Sequence, residues 1–193
     1  MARILVVDDD ENLRSILSRL LVSEGHIVSV ESSGNRAQKK LTDELFDLVL
    51  SDIKMADGDG IELTRFIKQV RPDMPIILMT GFSEVYTAIQ AYDLGANEFI
   101  PKPFRQVDLM RAINQCLKHP KFNQETANVE DGFCKLSLVD FVSGKLLAKD
   151  IYLRLSEHKF IKIAHARDEF PSEQIQKFNK YGIRHLYMRK EDF

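Results

Sequence analysis

Short, continuous apolar runs alternate with amphipathic stretches along the first 119 positions. Ile4-Leu5-Val6-Val7 reads as a strand, and Leu13, Ile16, Leu17, Leu20 and Leu21 then recur at helical spacing, with Gly25 where a left-handed cap is expected. Ile27 to Val30 is a second strand, Ser33 caps a short helix carrying Ala37 and Leu41, and Asp47 to Ser51 is a third strand. Leu63, Phe66, Ile67 and Val70 stripe the next helix, which Arg71-Pro72 ends; Ile76 to Met79 is the fourth strand. Val85, Ala88, Ile89 and Tyr92 predict a fourth helix ending near Gly95, before a strand at Glu98 to Ile100. Leu109, Ile113, Cys116 and Leu117 predict a fifth helix, stopped at Pro120.

Strands that are apolar throughout, each followed by a helix, call for a parallel sheet covered on both faces. Right-handed crossovers make this an α/β, flavodoxin-like doubly wound (βα)5 sheet of strand order 2-1-3-4-5. The pattern changes after residue 119. Residues 120–132 carry Pro, Asn, Gln, Thr and Gly with few apolar positions and read as a linker. A small α+β module follows over residues 133–193. In it Cys134 to Phe141 mixes apolar and polar positions, while Ile151 to Leu155 and Phe160 to Ala164 form a hairpin turned at Glu157-His158. Ser172 is the expected cap of a helix holding Ile175, Phe178 and Tyr181, ended by Gly182, before a last strand from Ile183 to Met188. A module of about 60 residues buries only ~60% of its unfolded surface, so it is expected to lean on a further surface, a second copy included.

Composition narrows the classes. The chain has 193 residues, 44% of them apolar, which is enough for two packed domains and excludes a mainly disordered protein. A net charge of −2 gives no general reason to expect nucleic acid as a partner. Lys159, Lys162, Arg167, Arg184, Arg189 and Lys190 are read as a solvated surface. Cys116 and Cys134 lack any metal or redox spacing and are expected to be buried thiols. His26, His119, His158, His165 and His185 show no ligand spacing either. No apolar run approaches the ~20 residues that cross a bilayer, so no membrane partner is expected and the cytoplasm is the expected compartment.

The chemistry lies at the strand ends. The first strand ends in Asp8-Asp9-Asp10 and the third in Asp52, and the fold brings these two ends together where the winding reverses. Like charges at Asp8, Asp9 and Asp52 are unfavourable until a divalent cation joins them, and magnesium suits hard carboxylate oxygens. Asp10 is read as a helix-capping or solvated residue and not as a ligand. The fourth strand adds the Thr80 hydroxyl beside Gly81, and the fifth leads to the Lys102 ammonium. A carboxylate is a competent nucleophile toward phosphorus when cations neutralise the charge on the equatorial oxygens.

Asp8-Asp9, Asp52-Ile53-Lys54-Met55, Asp59-Gly60, Thr80-Gly81 and Lys102-Pro103-Phe104 together resemble the response-regulator receiver domain of bacterial two-component signalling, over residues 1–119. The resemblance implies that Asp52 takes a phosphoryl group from the phosphohistidine of a sensor histidine kinase or phosphotransfer protein, or from a small acyl phosphate. It implies magnesium bound directly by Asp9 and Asp52, by Asp8 through water, and by the backbone carbonyl of Lys54. It further implies a cis Lys102-Pro103 bond, catalytic roles for Asp52, Thr80 and Lys102, and a switch at Thr80 and Phe99 that remodels one helical face for a homodimer partner or a downstream signalling protein. Such a protein is no enzyme beyond its own phosphorylation and dephosphorylation. Ala56 departs from the proline usual after Met55, which loosens that loop, and Phe99 from the usual tyrosine, so a switch there acts by packing alone.

Residues 150–155 and 186–193 resemble small modules that precede HD-type cyclic-dinucleotide phosphodiesterase domains, which makes the regulatory part of a longer enzyme an alternative. No His-Asp pair of that catalytic type occurs in the chain. A further alternative is an unphosphorylated scaffold of receiver fold. A haloacid-dehalogenase-type phosphatase is disfavoured because Asn12 stands where that family needs Thr or Val.

Overall fold

A computed structural model describes residues 1–81, 94–118, 132–138, 146–156 and 159–192. The strands are β1 (Arg3–Val7), β2 (Ile27–Glu31), β3 (Leu48–Asp52), β4 (Ile76–Thr80) and β5 (Glu98–Pro101), all parallel in the order β2-β1-β3-β4-β5. The helices between and after them are α1 (Glu11–Ser23), α2 (Gly34–Asp43), α3 (Gly60–Val70) and α4 (Gln106–Lys118). The helix expected at Val85 to Tyr92 and the linker at 120–132, apart from Gly132, lie outside the described residues.

The continuous apolar runs follow from burial on both sheet faces. Ile4, Val6, Leu50, Ile77 and Met79 pack with Leu17 and Leu21 of α1 and Leu109 and Ile113 of α4, all essentially without solvent exposure. Leu5, Val7 and Val49 alternate to the other face, where Ala37 and Leu41 of α2 and Leu63 and Ile67 of α3 are buried. Local signals set the helix ends. Asp10 caps α1, its Oδ1 accepting from the Asn12 and Leu13 amides, and Gly25 follows α1 at φ +85°. At the opposite end of the sheet Lys68 donates to the carbonyls of Pro72 and Met74 and to Asn97 Oδ1, which also accepts from the Ile76 amide. Burial pushes the Lys68 amine below its ordinary value, against the pull of Asp73.

A second compact unit contains β6 (Phe133–Ser137), β7 (Ile151–Ser156), β8 (Lys159–Ala164), α5 (Ser172–Lys180) and β9 (His185–Arg189). Its sheet is antiparallel in the order β6-β9-β7-β8, and β7 pairs with β8 as expected, while the turn expected at Glu157-His158 lies outside the described residues. One face packs aromatic rings from all four strands. Phe133 stacks on Phe160 at 4.1 Å, while Tyr152 and Tyr187 meet them edge-on at 5.0 and 4.9 Å. Of the six basic residues grouped above, Lys162 and Arg189 converge over the Tyr152 ring at 5.9 and 5.5 Å.

Three expectations need correction. Ser172 is the first residue of α5 and makes no cap; Pro171, extended at φ −67° and ψ 145°, precedes the helix with no side chain able to accept from its amides. Cys134 is only half-buried, because among the described residues its strand β6 stands at the edge of the sheet, whereas Cys116 is buried in the first core. The last strand begins at His185 and not at Ile183, whose amide closes onto the Phe178 carbonyl at 2.9 Å.

Phe178 and Phe170 are each about fully buried, with ring centroids 6.0 Å apart. Phe178→Ala is expected to destabilise the second unit by about 3–5 kcal/mol, measured by urea unfolding of the full chain; a loss under about 1 kcal/mol would show that the helix does not organise this core.

Asp150 adds a pH-dependent contribution. Burial raises its proton affinity, but Lys162 Nζ at 2.7 Å and the Ala166 amide at 2.8 Å outweigh this, so its pKa lies below the free value of 3.8. A depressed carboxyl contributes stability above its unfolded pKa and loses it as pH falls through the folded one. Melting curves taken below pH 4 should therefore fall less steeply with acid for Asp150→Asn than for the wild type, and parallel curves would refute the assignment.

Candidate functional site

The C-terminal ends of β1, β3 and β5 deliver three groups to one place. β1 pairs with β3 up to Val7 and Ser51, so the next residues, Asp8 and Asp52, emerge side by side. Asp8 is 1% exposed and Asp52 7%, an environment that favours carboxylates only when they are paired. Lys102, just past β5, supplies the pairing: its Nζ lies 2.9 Å from Asp8 Oδ2 and 2.8 Å from Asp52 Oδ1. Burial works to lower the Lys102 pKa, and hydrogen bonds with Asp52 and then Asp8 outweigh it, leaving the ammonium above its ordinary value. Asp8 Oδ1 also accepts from the Asp10 amide at 2.9 Å.

Asp9 is exposed at the rim, and Asp8, Asp9 and Asp52 each offer an oxygen within 4.8 Å of the others. This set of hard oxygen donors, two of them buried, fits a divalent cation such as magnesium. Lys54 lies two residues past Asp52, with an exposed side chain. Thr80 ends β4 opposite Pro101, but its side chain lies outside the described residues. Phe99 is 5% exposed in β5, opposite Leu78, and the Lys102-Pro103 bond is cis. Thus Asp8, Asp9, Asp52 and Lys102 are brought together in side-chain detail, whereas Phe99 lies within the sheet.

Other residues shape this end of the sheet; Asp59-Gly60 was marked in the sequence, whereas Arg14, Asp57 and Asn35 were not. Arg14 Nη1 donates to the Asp8 carbonyl, and the Asp59 carboxylate caps α3 through the Ile61 and Glu62 amides at 2.9 and 2.8 Å. Gly60 is obligatory for a steric reason: a Cβ there would stand 2.4 Å from the Asp52 carbonyl oxygen. Asp57 reaches back to Ser33, the cap of α2, and to Asn35 in its first turn. The run Asp57-Gly58-Asp59-Gly60 is a turn signal that marks such a loop, though not its partners.

A buried carboxylate beside an ammonium, with further acidic oxygens at a doubly wound switch point, defines an acidic pocket with its own counter-charge. The response regulator receiver domain profile matches residues 4–114, and the chain belongs to this family. Two curated relatives are the DNA-binding transcriptional regulator NtrC of Proteus hauseri, 36% identical over 126 residues, and the transcriptional regulatory protein ZraR of Klebsiella oxytoca, 39% identical over 121. These alignments take in 65% and 63% of this chain but only 27% of each relative, so the chain spans about a quarter of their length. Among solved structures, a receiver domain protein from Clostridium thermocellum is 33% identical with a TM-score of 0.60, matching 63% of this chain and 98% of that one. Among the described residues no helix is long and apolar enough to cross a membrane.

Proposed function

We propose that the chain is a two-component response regulator whose Asp52 accepts a phosphoryl group from a histidine kinase, a phosphotransfer protein or a small acyl phosphate. The observation that carries this reading is the Lys102 ammonium held within 2.9 Å of both Asp8 and Asp52, with Asp9 alongside. An Asp52 oxygen forms a bond to phosphorus while the phosphorus–nitrogen bond of a phosphohistidine, or the phosphorus–oxygen bond of an acyl phosphate, breaks. The imidazole leaves with a proton from solvent; a carboxylate leaves as its anion. Lys102 stays close enough to neutralise charge on the transferred group, and the Thr80 hydroxyl is proposed as a further donor to it.

Asp8, Asp9, Asp52 and the Lys54 carbonyl would hold magnesium, which supplies charge neutralisation when bound. Thr80 and Phe99 are proposed as the switch. Phe99 has no hydroxyl, so its movement would be felt only through packing between β5 and its neighbours. The altered surface would act on residues 133–193, on a second copy of the chain, or on a downstream protein. The receiver profile ends at residue 114 and lends no support to the HD-associated resemblance of the second unit.

Light scattering of the full chain with magnesium, then with beryllofluoride as a mimic of the aspartyl phosphate, tests this output. A change in mass assigns the output to self-association, and an unchanged mass with a raised melting temperature assigns it to an internal change or another protein. Neither response would favour the unphosphorylated scaffold.

A further inference from the structure

The connection that follows Asp52 is fixed at three points. Gly60 N donates to the Ile53 carbonyl at 2.8 Å, closing the loop at its base, and Asp59 caps α3 at its far end. The third point lies outside the loop. Ser33 Oγ donates to Asp57 Oδ2 at 2.9 Å and Asn35 Nδ2 donates to Asp57 Oδ1 at 2.7 Å, so both carboxylate oxygens are engaged by the start of α2. The backbones lock as well: Gly34 N donates to the Gly58 carbonyl at 3.0 Å and Asn35 N to the Asp57 carbonyl at 3.3 Å.

This seam admits no added atoms. A Cβ at Gly34 would lie 2.3 Å from the Gly58 carbonyl oxygen, and Gly58 stands at φ +76° with its own missing Cβ 2.9 Å from the Asn35 amide. Ser33 is 4% exposed, so its hydroxyl is held by Asp57 and the Arg36 amide away from competing water. Asp57 itself is exposed, and hydrogen bonds from Ser33 and then Asn35 hold its carboxyl below the usual range. An exposed carboxylate that accepts from two side chains across the loop serves to position backbone. The loop has Ala56, so no ring restrains its torsions at that position.

We propose that Asp57, with Ser33 and Asn35, is a positioning clamp that holds the Lys54 main chain in place for the cation at Asp8, Asp9 and Asp52; the inference rests on the receiver reading above. An oxygen from a loop of this length contributes to binding only if the loop is already ordered, since otherwise binding must order it. The clamp's side-chain hydrogen bonds run from Ser33 and Asn35 to Asp57, five residues past Asp52, and act through the chain between them. Outer partners of this kind commonly change metal affinity by 10–100-fold.

The test is a magnesium titration by calorimetry, with no phosphoryl donor present, on the full wild-type chain and on Asp57→Ala, Ser33→Ala and Asn35→Ala. Labelling by acetyl phosphate across magnesium concentrations is measured in parallel. Asp57→Ala is expected to weaken magnesium about tenfold, the two single-donor variants less, while labelling at saturating magnesium stays within about twofold of wild type. If Asp57→Ala does not fold, the single-donor variants decide, and each must still weaken magnesium. Unchanged affinity in the folded variants overturns the clamp, as does labelling that stays depressed at saturating magnesium. Failure of the wild type to bind magnesium or take up label would remove the receiver reading, and this inference with it.

Discussion

Asp52→Asn takes up no label from acetyl phosphate, with or without a kinase, while its fold and melting temperature stay close to wild type. The amide nitrogen and carbonyl cannot act as the oxygen nucleophile that a carboxylate provides. Asn matches Asp in shape, so the 7% exposed position keeps its packing. The charge balance also survives, because Lys102 retains Asp8 at 2.9 Å and the pocket loses one of its crowded negative charges. Peptide mapping of the labelled wild type is the matching control, with label expected on the peptide containing Asp52. Label persisting in Asp52→Asn, on Asp8 or Asp9, would move the acceptor to the β1 end and reverse the roles assigned to the pocket.

Lys102→Ala is the second large effect, and it should register in stability as well as chemistry. The raised lysine pKa contributes stability that is complete below its free value of 10.5 and lost as pH rises through the folded value, so at neutral pH all of it is at stake. Removing the ammonium takes away the positive charge that Asp8, 1% exposed, and Asp52 share. Breaking a fully buried pair in this way costs about 3–5 kcal/mol. Lys102 is 27% exposed and partly screened, so about 1–3 kcal/mol is expected here. Magnesium should restore part of it, giving the variant a larger magnesium-dependent rise in melting temperature than the wild type. The labelling rate is expected to fall about 10²–10³-fold, as when one preorganised donor is removed from a site of developing charge. A variant with wild-type labelling would show that Lys102 only balances the empty pocket.

Much of the receiver unit was legible in the chain because its signals are local. Continuous apolar runs such as Ile4 to Val7 mean burial on both faces, and the helical stripes between them fix the alternation that only a doubly wound sheet accommodates. The same logic put Asp8, Asp52, Thr80 and Lys102 at strand ends before any contact was known. Helix starts were read less evenly. Asp10 and Ser33 accept from amides of their helices, whereas Ser172 does not, because the chain enters α5 one residue earlier, from Pro171. A cap depends on the backbone angle of entry, which a residue type alone does not set.

Contacts across the fold required the tertiary structure. That Lys102 bridges Asp8 as well as Asp52 depends on how far β5 stands from β1, with β3 and β4 between them. That Asp57 is clamped by Ser33 and Asn35 depends on two connections meeting at glycines that permit backbone contact. In the second unit, Phe133, Tyr152, Phe160 and Tyr187 meet only because strand pairing places them on one face. The sequence by itself determined the periods, the strand ends and the chemical groups available, since these follow from interactions between near neighbours. Which groups touch was decided by register, twist and close packing, which are properties of the assembled sheets.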